Sequence, residues 1–95
     1  MTLIETTYSL LRDAELVATR EQFSIEYVGK NPNWYSYQLH VGRDFSVLAA
    51  ANCLRTISQL HNARDFKPSQ RRSMARATAL LSGYLREQHL ALADA

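Results

Sequence analysis

Between Gly29 and Arg43 the chain reads GKNPNWYSYQLHVGR. Within it Asn33, Ser36, Tyr37 and His40 recur at i, i+3, i+4 and i+7, the spacing that gathers side chains on one face of a helix. Each ends in a hydrogen-bonding group, and no carboxylate stands between Tyr27 and Arg43. Such a face suits the groove of a duplex: Asn pairs with adenine edges, and Ser and His reach bases or phosphates. Lys30 and Arg43 at its two ends would hold flanking phosphates and set the register. A carboxylate would be repelled by phosphate, so its absence over this run matters. Trp34, Tyr35 and Leu39 form the packing set of the same helix, while Tyr37 suits either side.

A second basic group follows later. Residues 55–76 hold Arg55, Arg64, Lys67, Arg71, Arg72 and Arg76 against Asp65, although the net charge is only +2. Arg71, Arg72 and Arg76 open the last helix, where positive charge opposes the helix dipole. Free N–H groups beside arginines make a phosphate site. The same patch could meet a protein partner or water.

Catalytic chemistry has little support. His40, His61 and His89 are far apart, and none has a partner at the spacing of a metal motif such as HExxH. No glycine-rich phosphate loop and no Ser-His-Asp or Cys-His set stands out. We therefore expect no enzyme, no metal and no cofactor. The lone Cys53 excludes an internal disulfide and sits among small apolar residues, as a buried, inert thiol does. There is no secretory pattern at the N-terminus and no apolar run long enough to span a bilayer, so a reduced, cytoplasmic setting is expected.

The elements that must position these residues read as helices throughout. Ninety-five residues make one domain, 1–95, with an all-α fold of about five helices. The first covers about 3–15, with Leu3, Thr7, Leu10, Leu11 and Ala14 on one stripe. The second starts at Thr19, which forms a capping-box pattern with Gln22, buries Phe23, Tyr27 and Val28, and stops at Gly29. The third starts at Asn31 with Pro32 in its first turn, and Gly42 ends it. The fourth starts near Asp44 or Ser46 and reaches about Asn62, with Val47, Ala50, Ala51, Leu54, Ile57 and Leu60 apolar. The fifth, about 69–92, carries Met74, Ala77, Leu81, Tyr84 and Leu85. Gly83 either weakens it by ~1 kcal/mol relative to alanine or marks a close helix crossing.

A short glycine-containing turn between helices two and three allows a steep crossing, the third becoming a recognition helix. Residues 19–43, TREQFSIEYVGKNPNWYSYQLHVGR, resemble the helix-turn-helix of small regulators of bacteria and phages. The pattern over roughly 3–60 is also similar to a group of short, uncharacterised bacterial helical proteins. It shares the pair Phe23-Ser24, the ending Tyr27-Val28-Gly29, and Asn31-Pro32-Asn33 before Trp34-Tyr35. One departure concerns register. With Gly29 in the turn, Ile25 stands where a small residue normally lets the helices approach, and the small Ser24 is one position off.

The resemblance implies a transcriptional regulator bound to duplex DNA. Asn33, Ser36, Tyr37 and His40 would read bases, and Lys30, Arg43, Arg71, Arg72 and Arg76 would hold phosphates. Such proteins often bind as dimers. Helix five is rich in apolar residues, so Leu80, Leu81, Tyr84 and Leu85, with Leu90 beyond them, are expected at a homodimer interface; the competing arrangement folds helix five back onto helices one and four. The alternative function is a helical protein-interaction module, of antiactivator or adaptor type, that binds and restrains another protein. Trp34, Tyr37 and Arg72 are the residue types that anchor such interfaces.

Overall fold

The computed structural model describes residues 1–63 and 65–94, with side chains as far as His89. Arg64 and the Leu90 side chain lie outside the described residues. The chain is all-α. Helix α1 is Leu3–Asp13, α2 is Arg20–Gln22 running straight into a π-helical turn at Phe23–Val28, α3 is Trp34–Val41, α4 is Val47–Ala63 and α5 is Pro68–Asp94. No strand occurs among the described residues.

Every free N–H at the start of α1 has a partner. Thr2 and Glu5 form a full capping box: Oγ1 of Thr2 accepts from the Glu5 N–H, and the Glu5 carboxylate accepts from the Thr2 N–H. That N–H, with the Thr2 hydroxyl, holds the Glu5 carboxyl below the usual carboxylate range. The next two N–H groups, of Leu3 and Ile4, donate to the Asp44 carboxylate at 2.8 and 3.0 Å. Asp44 also accepts from the Phe45 N–H at 2.8 Å. Asp44 thus caps α1 rather than α4, whose start is capped by Ser46 through the Ala49 N–H. At the other end of α1, Glu15 takes the left-handed conformation (φ 61) and the Leu16 N–H donates to the Leu11 carbonyl.

Asn31 does not open α3. Its carbonyl accepts from the Trp34 N–H, and its Oδ1 from the Asn33 N–H. Residues 31–33 are therefore a turn, Pro32 sits in it, and Asn33 is the residue that precedes the helix. Gly29 and Gly42 end their helices in the left-handed conformation, as their positions predict.

Helix α5 folds back along both α4 and α1, and α4 also packs on the π turn. The core between them includes Ile4, Leu11, Phe23, Val28, Ala50, Cys53, Ile57, Met74, Ala77 and Leu81. Val47, expected on the apolar stripe of α4, is instead 45% exposed, because that stripe turns inward only from Ala49. Nothing lies within 4 Å of a Cβ built on Gly83, so this glycine marks no close helix crossing.

Candidate functional site

The α2–α3 pair is organised around Ser24. Its hydroxyl donates to the Arg20 carbonyl at 2.9 Å and accepts from the Tyr35 N–H at 3.1 Å. The side chain is fully buried, so this small residue stands where the two helices meet. Ile25, its neighbour, points outward and is 49% exposed. The π turn explains how. A π turn closes i→i+5 bonds and holds one residue more than an α turn. The Gly29 N–H donates to the Ser24 carbonyl, five residues back. The extra residue is absorbed, and Ser24 occupies the crossing although its count from Gly29 is one too long.

Aromatic packing fixes the pair onto the rest of the chain. The Tyr35 ring lies 4.9 Å from Tyr8 and 5.9 Å from Phe23, with the Arg20 guanidinium 5.1 Å above it. The Tyr27 hydroxyl donates to the Leu16 carbonyl at 2.8 Å. Asn52 on α4 donates to the Val28 carbonyl just before the turn.

Only Tyr35 of α3 is buried, and Trp34 and Gln38 are partly so. Asn33, Ser36, Tyr37 and His40 are all exposed and occupy the face opposite Tyr35. The Asn33 side chain makes no capping bond. Lys30 and Arg43 flank the helix, and neither has an ion pair among the described residues. Leu39, assigned to the packing set, is 39% exposed.

The second basic group is remote from this face. Nε2 of Gln70 donates to the Ala14 carbonyl, which puts the start of α5 at the C-terminal end of α1. Asp44, next to Arg43, holds the other end of α1. An eleven-residue helix separates the two by about 16 Å. Arg71 lies beside Asp65 (3.6 Å) and His61 (3.4 Å), while Arg72 and Arg76 face solvent. The nine residues expected to touch DNA do not form one cluster: six gather around α3, Arg71 and Arg72 stand at the far end, and Arg76 lies between, part-way along α5.

The expected dimer face is largely used within the chain. Leu81 is 0% exposed and belongs to the core. The Tyr84 hydroxyl donates to the Phe45 carbonyl, and Tyr84 and Leu85 pack against the core. Leu80 is partly buried. Helix α5 takes the folded-back arrangement because Phe45 and the α1 stripe offer its apolar side a partner. Cys53 is fully buried, and burial pushes its thiol up to about 12. Among the described residues no group of His, Cys, Asp and Glu could hold a metal ion, and no helix is long and apolar enough to cross a membrane.

One feature escapes the sequence reading. A groove of about 400 Å³ lies between α3 and the segment 43–46 that leads into α4, lined by Lys30, Trp34, Gln38, Arg43, Asp44, Phe45 and Ser46. The Trp34 and Phe45 rings meet at its base, 5.9 Å apart. Trp34 and Gln38, four residues apart on α3, were the signal for a flank distinct from the polar face.

The chain matches the model of one family over residues 4–94, and that family, DUF6626, is described as a family of unknown function. No curated protein and no solved structure matches it.

Proposed function

The chain belongs to the DUF6626 family, whose function is unknown, and we propose from its own residues that it binds duplex DNA through α3 as a small transcriptional regulator. The observation that supports this is the outward face of Asn33, Ser36, Tyr37 and His40, free of carboxylates and flanked by Lys30 and Arg43. Asp44, which follows Arg43 in the chain, already accepts three backbone N–H groups. The four polar residues read base edges, and the two cations hold phosphates on either side. Arg71, Arg72 and Arg76 serve as a separate backbone contact.

The test is selection from a random duplex library with the purified chain, followed by titration of the enriched duplex at two salt concentrations. An enriched site with a steep salt slope is expected. Asn33→Ala should weaken binding to that site by ~1–3 kcal/mol and relax its sequence preference. If Asn33→Ala discriminates among duplexes as the parent does, α3 is not the reading helix. A palindromic site would identify a dimer on the DNA.

A second reading, the protein-interaction module, has its own support. Tyr37, Leu39, Val41, Val47 and Leu48 are all exposed within twelve positions, and Leu48 is 64% so. Exposed apolar residues are what a protein interface uses.

A further inference from the structure

We propose that the groove between α3 and the segment 43–46 docks an acidic, apolar peptide segment of a partner protein. The inference rests on the second reading above; it shares Lys30 and Arg43 with the DNA reading but none of the base-reading residues. The groove has two chemistries. Its base is aromatic, with Trp34 partly exposed against the buried Phe45. Its lining is also cationic, with Lys30 and Arg43. The one carboxylate in the lining belongs to Asp44, and its oxygens are engaged by the N–H groups of Leu3, Ile4 and Phe45. Neither cation has an internal ion pair among the described residues, so the lining offers unanswered positive charge.

The surroundings of the groove favour a peptide over a small anion. The groove falls in the usual range of ligand sites, roughly 300–1,000 Å³. Yet exposed apolar residues stand on both sides of the lining residues in the chain. Val41 precedes the lining residue Arg43, and Val47 and Leu48 follow the lining residue Ser46, all of them exposed. A compact anion would neutralise the two cations and leave Leu48 in water. A segment with a carboxylate next to apolar side chains covers both. A second copy of this chain is a poor occupant, because a two-fold contact would oppose Lys30 and Arg43 of one copy with those of the other.

The position on α3 separates this site from the base-reading face. Trp34, Gln38 and Val41 share one flank of the helix, about a quarter-turn from Asn33, Tyr37 and His40. Substitutions at Asn33 or Ser36 and at Leu48 therefore address the two surfaces separately, whereas Lys30 and Arg43 serve both.

The chain contains a single tryptophan, so its fluorescence reports on the groove alone. Random displayed peptides would be selected on the full chain, and the enriched sequences synthesised without tryptophan and titrated by that signal. The expected result is peptides with Asp or Glu beside apolar residues and a saturable Trp34 response. Affinity should fall about tenfold or more in Arg43→Ala and in Leu48→Asp, both at exposed positions and both checked for an unchanged helical spectrum. Asn33→Ala and Ser36→Ala should leave it unchanged. Enriched peptides that bind equally well to Lys30→Ala and Arg43→Ala would remove the groove as the site while leaving the protein-interaction reading standing. No enrichment at all would overturn both. An equal Trp34 response to inorganic phosphate or a mononucleotide would reassign the groove to a small anion.

Discussion

Asp44 decides more of this structure than its position suggests. It looks like the cap of the helix that follows it, yet its oxygens take the first two N–H groups of α1. Asp44→Ala should therefore destabilise the chain by about 1–2 kcal/mol, the loss of a helix cap. In a denaturant titration followed by amide exchange, the protection lost should be at Leu3 and Ile4, with the Ala49 N–H of α4 unaffected. Loss at Ala49 instead would return Asp44 to the role its neighbours in sequence suggest. Glu15 is the opposite kind of residue. It carries a Cβ in the left-handed conformation at the end of α1, a strain of about 1 kcal/mol or more that glycine would relieve.

At the scale of the elements, glycine tests the assignment of helix ends. Gly29 and Gly42 have φ of +74° and +71°, and a Cβ at either would meet nothing closer than 3.9 Å. Gly29→Ala and Gly42→Ala should each cost about 1–2 kcal/mol from backbone strain alone. Gly83 lies inside α5 with open space around it, so Gly83→Ala should stabilise by about 1 kcal/mol. Midpoints of thermal unfolding would show the three signs directly; a destabilising Gly83→Ala would reveal a contact that the helix geometry does not contain. These ends were legible because helix stops are local: Thr19, Gly29 and Gly42 act on residues within one turn. The capping box of Thr2 and Glu5 is equally local. The π turn was not readable. Its mark in the sequence is a small residue one place out of step, and only the bond from Gly29 to Ser24 shows where the extra residue goes.

For the whole molecule, the twenty-seven residues of α5 span about 40 Å, close to the 42 Å long axis of the chain. Its apolar side was legible; its partner was not, because a stripe says that something covers it and not what. Leu81 and Tyr84 find that cover in their own chain. Tyr84→Phe, which removes the bond to the Phe45 carbonyl, should lower stability by about 0.5–1.5 kcal/mol and leave the sedimentation of the free chain unchanged. A shift in sedimentation would restore α5 to a subunit contact. The polar face of α3 was legible for a related reason: helical spacing states which residues share a side. The groove was not, since it needs residues 43–46 folded back against Trp34 and Gln38 of α3. The tie from Asp44 to α1 also sets an order of assembly. When the chain is made from its amino end, α1 emerges about forty residues before the side chain that closes it. A fragment that stops short of Asp44 leaves those amide groups to water, and an eleven-residue helix is marginal alone. Helix α1 is thus finished by a residue some forty positions further on, and that much more chain must be made before its start is secure.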